Sequence, residues 1–89
     1  MRNAARPLGR KGVRINSIAP GNILFPGSVW DRKRREDTAA VDAMLVRDVS
    51  LGRLGSPEDV ARIATYLISP LAGFITGATY VVDGGQTRS

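Results

Sequence analysis

The sequence predicts an α/β fold: part of an open sheet of parallel strands with helices packed against it. Two short segments rich in β-branched residues, residues 13–19 and 78–82, each end abruptly at a glycine-containing break. A helix with strong start signals lies between them in the sequence. Strands joined through a helix usually run parallel, with a right-handed crossover. We therefore expect the two strands to lie side by side with this helix against them.

The first element is predicted to be the end of a helix. Residues 3–10, "NAARPLGR", are typical of the last helical turns, with Gly9 or Gly12 as the residue that ends the helix. Pro7 fits poorly inside a helix because it lacks a backbone N–H.

The first strand is predicted at residues 13–19, "VRINSIA", and it stops at Pro20-Gly21. Its apolar character favours a strand buried on both faces. Arg14 and Asn16 interrupt this pattern, and buried polar side chains need hydrogen-bond partners. We expect both to bond neighbouring backbone rather than to contact a substrate.

A long excursion follows, which we expect to be mostly irregular over residues 22–38. It contains "WDRKRRED", in which four cations are flanked by Asp31, Glu36 and Asp37. The charges of this segment therefore largely cancel, and we expect it to be an exposed turn or the start of a helix. Residues 39–49 then predict a helix with a single apolar face. That face consists of Val41, Met44, Leu45 and Val49.

The helix predicted at residues 57–69 has the clearest boundaries. Ser56 suits the N-cap, Pro57 the first helical position, and Glu58 and Asp59 the first turn, where the helix dipole favours acids. Its apolar stripe consists of Val60, Ile63, Ala64, Leu67 and Ile68. Arg53 and Asp83, which flank this unit, are expected to be structural.

Composition limits the classes of function. The chain has 89 residues, which is enough for at most one small domain, and 43% of them are hydrophobic. It has neither cysteine nor histidine and no dense acidic loop, so we expect no metal site. No apolar run approaches the roughly 18 residues of a membrane span, and no signal peptide is evident, so we expect a cytoplasmic protein without a membrane partner.

The net charge of +5 is concentrated at the N-terminal end. A nucleic-acid site is one interpretation of this cluster, and a solvated helix face is the simpler one. Interleaved aromatic residues and a recognition-helix pattern are absent, so we expect no nucleic-acid partner. The cluster consists of Arg2, Arg6, Arg10, Lys11 and Arg14.

Three segments in order resemble one enzyme family. "GVRINSIAPG" resembles the sixth strand of short-chain dehydrogenases/reductases and the loop after it. "LGRLGSPEDVARIATYLIS" resembles their last long helix, and "GFITGATYVVDGG" their final strand and C-terminal turn. The resemblance implies that residues 1–89 form one partial domain, the C-terminal third of a doubly wound Rossmann-type sheet, with residues 22–50 as the substrate-loop region.

The resemblance implies an NAD(P)-dependent oxidoreductase that moves hydride between nicotinamide and a carbonyl or alcohol. The glycine-rich phosphate loop and the Tyr-x-x-x-Lys pair of the family have no counterpart here, since neither Tyr66 nor Tyr80 has a lysine four residues later. We therefore assign no catalytic residue and expect the chain alone to be inactive and to bind NAD or NADP weakly or not at all. The alternative is a non-catalytic truncated remnant or interaction fragment.

The family match also implies cofactor-binding residues. Pro20 and Gly21 would lie against the nicotinamide ring, and Ile23 would hold its carboxamide through backbone groups. The alternative is that Pro20-Gly21 is only a turn. Many relatives have a threonine two residues after the Ile23 position, where this chain has Phe25, so either Ser28 substitutes or that hydroxyl contact is absent.

A group of apolar residues falls where the family has its substrate-covering loop. Either these residues close over an apolar substrate or they pack on the following helix. The resemblance also implies a homo-oligomer formed through the last helix and strand. The loop residues are Leu24, Phe25, Val29 and Trp30.

Overall fold

The computed structural model describes residues 2–87; Met1, Arg88 and Ser89 lie outside the described residues. Within 2–87 the chain forms four α-helices, one short 3-10 helix at Pro70–Ala72 and two strands. The elements in chain order are α1 (Arg2–Gly9), β1 (Ser17–Pro20), α2 (Val29–Glu36), α3 (Thr38–Asp48), α4 (Pro57–Ile68) and β2 (Thr79–Val82).

The two strands form a parallel pair, as the sequence predicts. The register runs from Ser17 opposite Thr79 to Pro20 opposite Val82. Backbone hydrogen bonds extend the pair at both ends, from Ser17 N to Ala78 O at 2.9 Å and from Gly21 N to Val82 O at 2.9 Å. Helix α4 connects the strands in sequence and packs on β1, so the predicted arrangement of strand, helix and strand is confirmed.

Strand β1 is shorter than the predicted residues 13–19. In the first half of that range, side-chain hydrogen bonds from Arg14 and Asn16 take the place of backbone pairing between strands. The Arg14 guanidinium donates to Ile75 O at 3.2 Å. The Asn16 amide donates to the same oxygen at 3.1 Å and accepts from Ala78 N at 3.1 Å. The prediction that Arg14 and Asn16 bond neighbouring backbone is therefore confirmed.

The prediction that β1 is buried on both faces is wrong. Ser17 and Ile18 are half-buried, while Ala19 and Pro20 are exposed. The physical reason is that β1 has a single strand neighbour within the described residues, and one of its edges has no pairing partner. Burial of a strand on both faces requires layers on each side, and among residues 2–87 α4 is the α-helix with substantial packing on β1.

Helix α1 ends close to the predicted position and includes Pro7. Of the two glycines proposed to end it, Gly12 adopts the left-handed conformation, with a φ of 78°. The chain reverses there because Val13 N donates to Leu8 O at 3.0 Å.

The excursion between the strands is more regular than predicted, because residues 29–36 form helix α2. Ser28 is its N-cap, and the Ser28 hydroxyl oxygen accepts from Asp31 N at 3.1 Å. The spacing of Ser28 and Asp31 was the signal in the sequence that predicts this start. Helices α2 and α3 pack together around a small core. This core consists of Val41, Leu45 and Val49, with Trp30, Met44 and Leu54 against it.

Helix α4 begins as predicted. Ser56 and Asp59 form a capping box, in which Asp59 N donates to Ser56 Oγ at 3.3 Å and Ser56 N donates to the Asp59 carboxylate at 2.8 Å. Its predicted stripe is buried or half-buried except for Ile68, which is 82% exposed. No helix in residues 2–87 has the length and hydropathy needed to cross a membrane.

Candidate functional site

Both strands end at the same edge of the sheet, and their ends approach each other unusually closely. A β-carbon placed on Gly21 would lie 2.7 Å from the Asp83 β-carbon and 2.8 Å from the Asp83 α-carbon. Any larger residue at position 21 would therefore push the two strand ends apart. Ligands of open α/β sheets bind beyond this carboxyl edge, so Pro20 and Gly21 lie where such a ligand is expected.

Ile23, two residues after Gly21, lies between two residues whose backbone groups pair with Gly55. The loop pairs with residue 55 through the neighbours of Ile23, from Gly55 N to Asn22 O at 2.9 Å and from Leu24 N to Gly55 O at 2.8 Å. The N–H and C=O of Ile23 have no hydrogen-bond partner among residues 2–87. In an extended chain the N–H and C=O of one residue point away from the backbone groups of its neighbours that make the pairing. Ile23 therefore presents one donor and one acceptor on the side of the loop that faces away from Gly55.

Glycine at residue 55 leaves space for the side chain of Ile23, whose flexible tip would have to move if residue 55 were larger. A β-carbon on Gly55 would lie 2.7 Å from the Ile23 Cδ1 atom. Sequence reasoning did not identify the pairing of residues 22–24 with Gly55. The only signal for it was the glycine pattern of "LGRLG", which predicts a chain break without naming its partner.

The turn after β2 joins the same edge to the end of α3. Leu51 N donates to Gly84 O at 2.8 Å, and the Ser50 hydroxyl donates to Gly85 O at 3.1 Å. Asp83 holds this turn, since its carboxylate accepts from Gly85 N at 2.9 Å and from Thr87 N at 2.8 Å. Hydrogen bonds from Thr87, followed by that from Gly85, lower the pKa of Asp83. The expected structural role of Asp83 is confirmed.

Arg53 and Asp59 form a two-pronged ion pair beside the cap of α4. The guanidinium Nη1 atom lies 2.9 Å from Asp59 Oδ2, and Nη2 lies 3.3 Å from Oδ1. The hydrogen bond from Arg53 is the largest cause that lowers the pKa of Asp59, and the hydrogen bonds from Ser56 add to it. This pair holds the loop that carries Gly55, which confirms the expected structural role of Arg53.

A cleft of about 170 Å³ lies between these segments at the carboxyl edge of the sheet. Apolar surface forms the larger part of its wall, and polar groups form the rest. It is lined by Asn22, Ile23, Val49, Leu51, Arg53, Gly55, Asp59, Val82, Asp83, Gly84 and Gln86.

The four apolar residues of the loop divide into two groups. Phe25 and Val29 are 49% and 55% exposed, whereas Trp30 packs on the core formed by α3. Leu24 is half-buried. Packing on the following helix therefore accounts for Trp30, and Phe25 and Val29 remain available on the surface.

Ser28, the candidate substitute for the threonine of many relatives, is engaged in local structure. It is buried, and its hydroxyl oxygen accepts from Phe25 N at 3.3 Å and from Asp31 N. The two tyrosines lie elsewhere: Tyr66 is on α4 and Tyr80 is within β2. Residues 2–87 contain no group of histidine, cysteine or acidic side chains that could hold a metal ion.

Comparisons with known proteins place this geometry in context. Residues 1–87 match the family model described as Enoyl-(Acyl carrier protein) reductase. Isoepoxydon dehydrogenase of Aspergillus clavatus is 44% identical over 78 residues, which are 88% of this chain and 30% of that enzyme. The chain thus spans less than a third of the length of this curated relative.

Solved structures agree over nearly the whole chain. A 4-hydroxyisoleucine dehydrogenase complexed with NADH superimposes with a TM-score of 0.82 at 35% identity, over 97% of this chain and 34% of that one. An NADPH-bound short chain oxidoreductase from Pseudomonas aeruginosa PAO1 superimposes with a TM-score of 0.80 at 38% identity, over 99% of this chain and 34% of that one.

Proposed function

The chain belongs to the short-chain dehydrogenase/reductase family, and we propose that it supplies one wall of the nicotinamide pocket of an NAD(P)-dependent oxidoreductase. The whole enzyme transfers hydride between the nicotinamide and a carbonyl or alcohol substrate. The proton donor and the phosphate-binding loop that this reaction needs come from residues outside this chain.

The position of Ile23 carries this proposal. A carboxamide has one acceptor and one donor group, and the backbone of Ile23 offers one donor and one acceptor without partners among residues 2–87. Pro20 and Gly21 lie beside it at the carboxyl edge of the sheet, where a flat ring can approach glycine backbone closely. The residues present therefore fit the nicotinamide end of NAD or NADP.

The exposed apolar residues support a second role for the same segment. Phe25 and Val29 lie later in the loop that begins with the proposed carboxamide contact, and their side chains are about half exposed. Burying them against an apolar substrate would be favourable, at about 25 cal/mol for each Å² removed from water. We assign to residues 22–50 the role of a substrate lid, with Phe25 and Val29 as its contact residues.

A third role concerns assembly. Three large apolar residues at and after the end of α4 are strongly exposed, and Val81 of β2 is 57% exposed. Such a concentration of apolar surface favours a protein interface, which we assign to a homo-oligomer through the last helix and strand. The three residues are Ile68, Leu71 and Phe74.

A truncated remnant without activity is the second candidate, because the chain covers about a third of its relatives. A chimera separates the two candidates. Residues 1–89 replace the matching third of the 4-hydroxyisoleucine dehydrogenase, and NADH binding is measured by fluorescence. If the chain forms a functional part of the nicotinamide pocket, the chimera binds NADH. If the chain is a remnant without activity, the chimera folds but does not bind NADH.

Two variants of the chimera test the role of Ile23 itself. Ile23→Pro removes the backbone N–H, so we expect NADH binding to weaken about tenfold, as for the loss of one well-placed hydrogen bond of about 1.4 kcal/mol. Ile23→Val keeps both backbone groups and should bind as the parent chimera does. Equal binding by Ile23→Pro, with an unchanged melting temperature, would contradict the assignment.

A further inference from the structure

The proposed lid, residues 22–50, is joined to the rest of the chain mainly at its two ends. Among the helices and strands of residues 2–87, the substantial packing of α2 and α3 is with each other. Leu54, just before α4, also packs on the small core that these helices form. At the start of the lid, Asn22 and Leu24 pair with Gly55 through backbone hydrogen bonds. At its end, the contact is with the turn after β2, residues 83–87.

One hydrogen bond at the end of the lid comes from a side chain. The Ser50 hydroxyl donates to Gly85 O at 3.1 Å, beside the backbone bond from Leu51 N to Gly84 O at 2.8 Å. Any residue other than proline can make the backbone bond, whereas the second bond needs a hydroxyl at position 50. The attachment of the lid to this turn therefore depends on the side chain of Ser50.

Gly85 and Asp83 shape the turn so that it accepts this bond. A β-carbon on Gly85 would lie 2.7 Å from both the Cβ and the Oγ atom of Ser50, and the φ of Gly85 is 84°, which favours glycine. The Asp83 carboxylate accepts from Gly85 N at 2.9 Å and so fixes the residue whose carbonyl binds Ser50. The turn thus combines a close approach with an oriented acceptor.

The same turn borders the proposed nicotinamide wall. A β-carbon on Gly21 would lie 2.8 Å from the Asp83 α-carbon, so the turn and the Pro20-Gly21 loop are in contact. The cleft at the carboxyl edge is lined by Ile23 near the start of the lid, by Leu51 just after its end, and by Asp83. The turn after β2 therefore determines where the end of the lid lies relative to that wall.

We propose that Ser50 is a positioning residue for the lid: its bond to Gly85 O fixes the end of α3 on the turn after β2 and sets the distance between the lid and the sheet edge. Its role is to hold α3, which packs on α2, and not to contact the cofactor or the substrate. This inference rests on the lid role proposed for residues 22–50 and adds the residue that holds the lid in place.

The position of the lid is measurable because the chain has no cysteine of its own. Two introduced cysteines carry spin labels, and pulsed electron paramagnetic resonance gives the distance between them. Val46→Cys labels an 85% exposed position of α3, and Ala61→Cys labels an exposed position of α4. Dilution of the labelled chain with unlabelled chain keeps the measured distances within one molecule.

The chain with Ser50 intact should give one narrow distance distribution. Ser50→Ala should broaden it and should speed hydrogen exchange of the Leu51 amide about fivefold, as for the loss of about 1 kcal/mol. Ser50→Thr keeps the hydroxyl and should restore both readouts. Ser69→Ala is the matched control, because it removes a hydroxyl that donates to Tyr66 O at 2.7 Å outside the lid, and it should change neither readout.

Three results would overturn the proposal. An unchanged distance distribution in Ser50→Ala would show that the hydroxyl does not hold the lid. Faster exchange of residues 63–67, by the same factor as Leu51, would indicate a general loss of stability. A change as large in Ser69→Ala or Ser50→Thr would show that the hydroxyl at position 50 is not the cause.

The same substitution in the chimera separates this inference from the proposed pocket wall. Ser50→Ala should leave the NADH affinity of the chimera unchanged, because Gly55 rather than Ser50 pairs with the loop around Ile23. A loss as large as that expected for Ile23→Pro would assign Ser50 to the wall and overturn its role in the lid. If the parent chimera binds no NADH, the wall proposal fails, and the distance measurement on the chain still decides the role of Ser50.

Discussion

Gly21 and Asp83 meet at the carboxyl ends of the two strands, with room for a hydrogen atom but not for a β-carbon between them. A β-carbon on Gly21 would lie 2.7 Å from that of Asp83. The adjacent hydrogen bond from Gly21 N to Val82 O, at 2.9 Å, closes the strand pair. This contact positions both the Pro20-Gly21 loop and the turn held by Asp83.

Gly21→Ala is expected to destabilise the fold by about 1–3 kcal/mol, because the added carbon must displace backbone rather than a flexible side chain. Urea unfolding followed by circular dichroism measures the change. Gly9→Ala is the matched control, since a β-carbon there meets no atom within 4 Å. Equal stability of the two variants would show that the strand ends are not as close as described.

The Asp59 carboxylate, which caps α4, should make the free energy of unfolding depend on pH. The pKa of Asp59 is lowered in the folded chain by Arg53 and Ser56, so its stabilising effect is present above the unfolded-state pKa of about 4. This stabilisation is lost as the pH falls from about 4 towards the lower folded-state value. Urea midpoints at pH 7 and pH 3 measure the loss, which should be smaller in Asp59→Asn. Asp42→Asn, at an exposed position of α3, is the control and should lose as much stability between pH 7 and pH 3 as the unmodified chain does. If Asp59→Asn loses as much stability as the unmodified chain, Asp59 is not the source of the pH dependence.

One edge of β1 is unpaired within residues 2–87, and Val13, four residues before the strand, is exposed, so we predict that the isolated chain self-associates. Val13 is 46% exposed, and an open apolar strand edge is a template for pairing with another chain. Val13→Lys should raise the monomer fraction in sedimentation analysis. Val46→Lys, which makes the same change at an 85% exposed position of α3, should not. A clean monomer with a sharp two-state melt in the unmodified chain would contradict this expectation.

Residues 22–35 are expected to be the least protected internal segment in hydrogen exchange. Two hydrogen bonds, at Asn22 O and Leu24 N, pair the start of this segment with Gly55. Residues 63–67, in the interior of α4, have a continuous helical ladder and pack on the sheet. Amides of residues 22–35 should exchange much faster than those of residues 63–67. Similar protection in both segments would argue against a mobile lid.

The sequence predicts best where the signal is local. Ser56, Pro57 and Asp59 define the start of α4 because capping needs only neighbouring residues. The parallel strand pair was also predictable, since the intervening helix leaves few alternatives. The apolar face of α3 followed from helical periodicity alone, and Val41, Leu45 and Val49 are buried as expected.

The errors concern features that depend on distant residues. The length of β1 depends on whether Arg14 and Asn16 reach the loop around Ile75, some 60 residues away. Its exposure depends on sheet neighbours that residues 2–87 do not contain. The site shows the same limit: Ile23 was predicted from the family resemblance, whereas its pairing through Gly55 is a long-range contact that no local pattern specifies.

The central claim is that the chain forms one wall of a nicotinamide pocket and depends on residues outside it for cofactor affinity and chemistry. Most dinucleotide affinity comes from phosphates held at a helix N-terminus behind a glycine-rich loop, which this sequence lacks. The most direct test is a fluorescence titration of the purified chain with NADH and NADPH, followed by assays with a panel of ketones and alcohols. We predict no micromolar binding and no turnover above the protein-free blank. Micromolar affinity or measurable turnover would contradict the account, because the chain would then need no further part of the enzyme.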